Sequence, residues 1–363
     1  MRADATPPAE PVVLTGDARA RGRAQAGAGA APGEVRAAMA ARLAEAREAG
    51  LMTEGALAYV DRQRVFSEAH CPEAMAEIAG IAEAFGLSVE DVFLHQHLGT
   101  LKDLAGGAAL SEDGCSAWAV ADGPDGPLVV KNRDFSGHHA AIQRIFRHEG
   151  PDLPQGPLLC LGSLGSPGAY SSGMNAAGLA VVDTQVGVRT HAVGWQRYFL
   201  MTRILSRCAS VDEALALIRA LPHAGGGTLV MADALGTVAA VELGAGAVAT
   251  EESPLVCRTN HFTSTALAHE TLTDGASRID DSSAKRRAHL EAELPGRVWN
   301  VGAAAALMAQ HFEECGAPVC QHAGAAAGAR TIASTVYCPR SGLVYACLEA
   351  PCTGPWHRLS ITA

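Results

Sequence analysis

No stretch of this 363-residue chain approaches the roughly 18 uninterrupted apolar residues that a membrane-spanning helix needs. The first ten residues, Met-Arg-Ala-Asp-Ala-Thr-Pro-Pro-Ala-Glu, hold no apolar signal core. Both absences point to a cytoplasmic protein. Charge is scarce as well: Asp, Glu, Lys and Arg make up 18% of residues against 48% hydrophobic ones, which argues against disorder and fits a soluble enzyme with a substantial core. Of the charges, 10 positive and 17 negative precede residue 115, while 18 and 21 follow, for a net −10. No basic stripe exists, so nucleic acid and anionic membranes make poor partners.

Several catalytic signatures are missing too. The 14 histidines form no His-Glu-x-x-His pair, and Gly162-Ser-Leu-Gly165 falls short of a Gly-x-Ser-x-Gly elbow. No Gly-rich stretch has full phosphate- or dinucleotide-binding spacing. The 10 cysteines include no Cys-x-x-Cys, although Cys315 and Cys320 enclose four residues, as do Cys347 and Cys352. Scattered through a large chain without a signal peptide, they read as reduced thiols. No metal and no cofactor is expected. The abundance of Ala, Gly and Arg fits a bacterium of high genomic GC content.

What is present begins with a mostly helical third. A short strand at 12–16 leads into an Ala/Arg/Gly-rich stretch without a clear pattern, then apolar residues recur at helical spacing over 34–49, 56–68 and 72–85. Pro72 suits a first helical turn and Gly86 a stop, and Ser88 followed by Asp91 opens another helix with a capping-box-like start. Further on, 157–164 and 178–185 read as strands, 195–208 and 211–220 as helices, and 228–243 as two strands about an Asp-Ala-Leu-Gly turn. Short strands at 248–257, a charged helix at 282–294, an apolar one at 302–312 and a final hairpin over 331–348 complete the pattern. Strands interleaved with helix pairs suggest antiparallel sheets covered by helices in a single domain.

The stretch from Gly114 to Asp134 stands out. Two apolar, β-favouring runs flank Asp-Gly-Pro-Asp-Gly-Pro, which is a β-hairpin signal. If Ala121 pairs with Leu128, Cys115 faces Asp134, and a thiol and a carboxylate meet at the open end about 5 Å apart. A slip of one residue would place them on opposite faces. N-terminal nucleophile hydrolases use a Gly-Cys bond at such a mouth: the precursor cuts itself before the cysteine. The new residue then carries a thiol and an α-amine whose intrinsic pKa, about 7.7 to 8.0, suits a general base near neutral pH.

The markers Asp113-Gly-Cys-Ser, Asn132-Arg-Asp-Phe, Gly173-Met-Asn-Ala-Ala-Gly-Leu-Ala, Met231-Ala-Asp-Ala-Leu-Gly, Thr259-Asn-His-Phe and Thr331-Ile-Ala-Ser-Thr-Val-Tyr occur in this order. With Pro72 to Leu87 they make the chain resemble the acyl-coenzyme A:6-aminopenicillanic-acid acyltransferase (isopenicillin N acyltransferase) family. That family is a branch of the self-processing N-terminal nucleophile hydrolases related to choloylglycine hydrolases. The resemblance implies an α+β fold, a four-layer αββα sandwich with two antiparallel sheets. It implies cleavage between Gly114 and Cys115 into a mostly helical α-subunit, 1–114, and a catalytic β-subunit, 115–363, held together as an αβ heterodimer or a higher oligomer.

By the same resemblance Cys115 is the nucleophile, Asp134 orients the new amine, Asn260 stabilises the oxyanion and Arg330 supplies a permanent cation. Asn132, Arg133 and Asn175 rank second. Arg133, next to Asp134 on a strand, should point to the opposite face. Trp118, Phe135, Tyr170, Trp195 and Phe262 are candidates to line an acyl or amine pocket. The expected function is a cysteine amidohydrolase acting on a small N-acyl amide. Its rivals are an acyltransferase passing an acyl group to an amine, a papain-like enzyme using a histidine such as His261, and an uncleaved binding relative.

Overall fold

The computed structural model describes residues 10–30, 32–107, 114–272, 278–322 and 329–362. Asp113, the first marker residue, and Met1 to Ala9 lie outside them. In chain order the elements are β1 (Val12–Thr15), α1 (Ala18–Ala24), α2 (Pro32–Glu48), α3 (Glu54–His70), α4 (Pro72–Phe85), α5 (Val89–His95), α6 (Leu98–Leu104), β2 (Cys115–Val120), β3 (Leu128–Ser136), β4 (Gln143–Glu149), β5 (Leu158–Ser163), β6 (Ser172–Asn175) and β7 (Ala180–Gln185). Then come α7 (Arg197–Arg207), α8 (Val211–Ala220), β8 (Gly227–Ala232), β9 (Val238–Leu243), β10 (Val248–Glu252), β11 (Leu255–Arg258), α9 (Arg278–Glu293), α10 (Val301–Met308), α11 (Phe312–Cys315), β12 (Ala329–Cys338), β13 (Leu343–Cys347) and β14 (His357–Ser360).

The helix boundaries follow local chemistry. Ser88 accepts the Asp91 N–H at 2.9 Å and Ser210 accepts the Glu213 N–H, each satisfying an amide that a first turn leaves without a partner. Gly86 closes α4 in the left-handed conformation, φ 63°, which a side chain would strain.

Two sheets form the centre: eight strands in the order β1-β4-β5-β6-β7-β8-β9-β10, and six in the order β11-β2-β3-β12-β13-β14. All pairings are antiparallel except β1 with β4, which run parallel. Alternation along the strands sorts three cores. On β8, Leu229 and Met231 join the core under α2 to α5, α7 and α8, while Val230 and Ala232 face the other sheet. On β2 and β3, Ala117, Ala119 and Val129 face the eight-stranded sheet, while Trp118, Leu128 and Val130 pack on Leu290 of α9 and Leu307 of α10. The result is the αββα sandwich. No described helix is long and apolar enough to cross a membrane.

Several elements lack an apolar signature. Helix α1 lies in the Ala/Arg/Gly-rich stretch because Arg21 is buried against Asp152, at 2.6 and 2.7 Å, and because glycines let it touch α4 backbone to backbone. A Cβ on Gly80 would sit 2.1 Å from the Arg19 carbonyl oxygen. Strand β4, Gln-Arg-Ile-Phe-Arg-His-Glu, hides its polar residues in hydrogen bonds, such as Arg144 to the Ala28 carbonyl at 3.1 Å. The short helix α6 and strands β6 and β14 were likewise not legible. The apolar helix expected over 302–312 stops at Met308, whose carbonyl is taken by the Asn132 amide at 2.8 Å, and α11 follows as one separate turn.

Candidate active site

The hairpin closes one residue earlier than its turn suggested. Val120 pairs with Leu128, so Cys115 stands opposite Arg133 and not Asp134. Alternation then decides which groups meet. Cys115, Lys131 and Arg133 share the face toward the eight-stranded sheet, while Asp134 turns outward, accepting from Thr331 Oγ1 and from Gln321 Nε2 at 2.8 Å. The thiol and the carboxylate are thus separated by the strand, and Arg133, expected away from the thiol, is on its side.

Asp134 still reaches the Gly114–Cys115 bond, through its backbone. Its N–H donates to the Gly114 carbonyl at 2.9 Å and also faces the Cys115 thiol. A Cβ on Gly114 would lie 2.9 Å from Gln321 Nε2 and 3.1 Å from Asp134 Oδ2, so those side-chain ends would have to shift. The Cys115 N–H donates to Asn260 Oδ1 at 3.0 Å, and the same oxygen accepts from Arg286 at 2.7 Å. Arg286, fully buried, also donates to the Cys115 carbonyl and, at 3.0 Å, to Ser116 Oγ. Asn260 gives one amide hydrogen to the Gln185 carbonyl at 2.8 Å.

In front of the thiol opens a small cleft, lined by Phe135, Tyr170, Asp183, Arg197 and Asn260 among others. Phe135 and Tyr170 of the five expected aromatics line it. Trp118 is in the core beneath α10, Trp195 belongs to the helix-covered core, and Phe262 packs with Val186 and Val188. Asp183 holds two cations: Lys131, which also reaches the Ser171 carbonyl at 3.1 Å, and Arg197 at 2.7 Å.

The electrostatics follow from this burial. Desolvation pushes the Cys115 thiol up, the Lys131 ammonium pulls it down, and Asp183 and Asp134 push it up again. Asp183 is buried too, yet Lys131 and Arg197 hold it below the usual carboxylate range. Burial pushes Asp134 up to about 6, against the opposing pull of Arg286, Thr331, Lys131 and Gln321. An acid whose folded pKa is raised binds a proton that the unfolded chain has released. Its contribution is therefore full below about pH 4 and lost as pH rises through about 6. Asp134→Asn, in an uncleavable Cys115→Ala background, is expected to gain on its parent by about 2 kcal/mol between pH 4 and pH 7. Urea unfolding at the two pH values measures this. A difference that does not change with pH contradicts it.

The other expected residues are dispersed. Asn132 faces outward and ties the Met308 and Val319 carbonyls together, each at 2.8 Å. Asn175 holds a turn, bonding the Leu205 and Cys208 carbonyls at 2.9 and 2.7 Å. Arg133 donates to Ser163 Oγ at 2.9 Å and lies over the Phe135 ring. Arg330 stands opposite Phe135 at the start of β12, and among the described residues no hydrogen bond joins it to Cys115, Asp134 or Asn260. His261 bonds Ser283 Oγ at 2.8 Å and does not line the cleft. Lys131, Asp183, Arg197 and Arg286 went unnamed in the sequence. Lys131 interrupts the apolar run Leu-Val-Val, but only the observed register sets it on the face of Cys115, and Arg286 was hidden in a helix that reads as merely charged.

The family described as acyl-coenzyme A:6-aminopenicillanic acid acyl-transferase matches residues 121–352, more than half of the chain. The chain belongs to this family. The match opens after Cys115 and takes in Asp134, Asn260, Arg286 and Arg330. Membership makes the protein an enzyme of acyl transfer. Among solved structures, the chain is similar to a mutant conjugated bile acid hydrolase from Clostridium perfringens, with TM-score 0.45 and 12% identity over 69% of this chain and 93% of that one. A second variant of that hydrolase gives 0.46 and 10% over 68% and 93%. Penicillin V acylase from Agrobacterium tumefaciens gives 0.37 and 14% over 68% and 86%. No curated protein matches the chain. Among the described residues of this acyltransferase-family chain, one group could hold a metal: His311, Cys320, His322 and Cys352, in the outer layer and away from the thiol cleft.

Proposed function

We propose that this chain is a self-processing cysteine amidohydrolase whose nucleophile is Cys115. The observation that carries the reading is the clamp on one peptide bond: the Gly114 carbonyl on the Asp134 N–H at 2.9 Å, and the Cys115 N–H on Asn260 at 3.0 Å. In processing, Cys115 Sγ loses its proton and attacks the Gly114 carbonyl carbon. Negative charge collects on an oxygen that the Asp134 N–H already meets. Collapse breaks the C–N bond, the nitrogen takes a proton, and Gly114 is left as a thioester on sulfur. Water hydrolyses that thioester, giving the Gly114 carboxylate and a free thiol.

The freed α-amine stays beside Asn260 Oδ1, where the Arg286 guanidinium disfavours its ammonium form and keeps it available as a base. It takes the thiol proton, the thiolate attacks the substrate amide carbonyl, and the second amide hydrogen of Asn260 meets the oxyanion. The amine product leaves with the proton, and water releases the acid from the acyl-enzyme. The two pieces, 1–114 and 115–363, remain one αβ unit, because α2 to α5 cover the eight-stranded sheet with a shared apolar core.

Water is the favoured acceptor over an amine. Of the described cations lining the cleft, Lys131 and Arg197 are committed to Asp183 and Arg133 donates to Ser163 Oγ, which gives the phosphates of coenzyme A little support. Processed enzyme incubated with N-acyl amines and N-acyl amino acids should release free acid without any thioester present. Product formed only when an acyl thioester and an amine are both supplied would reject hydrolysis in favour of transfer.

A further inference from the structure

The outer layer brings together four side chains that the acyl-transfer chemistry does not use. His311 precedes α11, Cys320 and His322 follow it, and Cys352 lies beyond β13. One ligand atom from each lies within 4.8 Å of all the others. Cys320 Sγ is 3.6 Å from Cys352 Sγ, His322 Nε2 is 3.7 and 3.4 Å from the two sulfurs, and the two Nε2 atoms are 3.1 Å apart. With Zn–S near 2.3 Å and Zn–N near 2.0 to 2.1 Å, a tetrahedron sets S···S at about 3.8 Å, S···N at about 3.6 Å and N···N at about 3.3 Å. Four of the six edges fall within about 0.2 Å of those values, and the two from His311 to the sulfurs lie within 4.8 Å.

A second feature is what a ligated imidazole needs. His311 turns Nε2 into the cluster while its Nδ1 faces the Glu314 carboxylate at 3.8 Å, and Glu314 also accepts the His311 backbone N–H at 3.0 Å. At 3.8 Å this is no hydrogen bond, but a negative charge on that side favours the proton on Nδ1 and the lone pair on Nε2. A disulfide between the two cysteines would need their sulfurs at about 2.05 Å and would leave both imidazoles without a purpose.

We infer that His311, Cys320, His322 and Cys352 bind one Zn²⁺ in a closed, structural site. Two thiolates and two imidazoles are a zinc donor set, and four protein ligands leave no position for a reacting water. On binding, each thiol releases its proton to solvent and both imidazoles coordinate as neutral rings. The cysteine spacing that drew notice contributes one member from each pair: Cys315 instead bonds the His311 and Ala317 carbonyls, at 3.2 Å each, and Cys347 the Glu349 carbonyl at 3.4 Å. The ligands run from 311 to 352 with no Cys-x-x-Cys, which is why the spacing alone argued against a metal. The site pins Gln321, between two ligands, whose amide donates to Asp134 and whose N–H donates to Thr331 Oγ1 at 2.8 Å. Zinc therefore steadies the support behind Asp134 without entering the cleft.

Full-length protein produced with zinc in the medium and desalted should carry about one zinc per chain by elemental mass spectrometry. Cys352→Ser and His322→Ala should each lose it, while Cys315→Ser should keep it. Replacement by Co²⁺ should give the intense visible bands of a tetrahedral thiolate site, a readout that does not depend on the folding of any variant. Wild-type protein that is folded and metal-free, or peptide mapping that finds Cys320 joined to Cys352 as a disulfide, overturns the assignment.

Discussion

Cys115→Ala is expected to yield one uncut chain of 363 residues that releases no product. Wild-type protein should separate under denaturing conditions into pieces of 114 and 249 residues, the two sides of the Gly114–Cys115 bond. Two roles meet in this one residue. In the proposed mechanism the thiol adjoining the Gly114 carbonyl is the nucleophile, and its backbone nitrogen becomes the base only after the cut. Losing Sγ therefore removes both processing and turnover, a fall of roughly 10⁴-fold or more, the order that deleting a covalent nucleophile causes. The fold should survive, since β2 keeps its pairing with β3 through backbone bonds. Intact-mass analysis gives the answer directly. An active wild-type preparation containing only full-length chain would sink the processing claim, while a variant that still cuts itself would move the nucleophile elsewhere.

Asn260→Ala is expected to lower kcat by about 10² to 10³-fold with a smaller change in KM, the effect of removing one oxyanion donor. Processing should slow as well, because the same side chain accepts the Cys115 N–H at 3.0 Å. There is a structural cost. Arg286 loses an acceptor at 2.7 Å inside the fold, and an unsatisfied buried donor costs about 1 to 3 kcal/mol. Asn260→Asp separates the effects: it retains an acceptor for Arg286 and for the amine but offers the oxyanion no donor. It gives up the bond to the Gln185 carbonyl but keeps Arg286 paired, so it should fold and cut itself, yet turn over as poorly as the alanine variant. Turnover near wild type in Asn260→Asp would mean that the oxyanion is held by other groups.

Much of this molecule was written in local order. The helices from Glu34 to Phe85, the glycine stop at Gly86, the caps at Ser88 and Ser210 and the hairpin around residues 121–127 depend on neighbours within a few positions, so a linear reading finds them. The marker series also singled out Cys115, Asp134 and Asn260, which converge on one peptide bond although 145 positions separate the first from the last. What local order could not contain was register. The turn residues permit closure at Ala121 or Val120, and only the packing of Trp118 and Val130 beneath α10, with Ala117 and Val129 against the second sheet, selects the latter. That single step turned Asp134 away from the thiol and brought Lys131 and Arg133 to it. Strand β4 and helix α1 escaped for a related reason: their buried arginines are stabilised by partners distant in sequence, so they carry no apolar pattern. Arg286 and the four outer-layer ligands belong to the same class. A guanidinium on a charged helix, or a cysteine with no nearby cysteine, acquires its chemistry only from what the tertiary structure sets within about 3 to 4 Å of it, because hydrogen bonding and coordination act over that range and chain spacing does not record it.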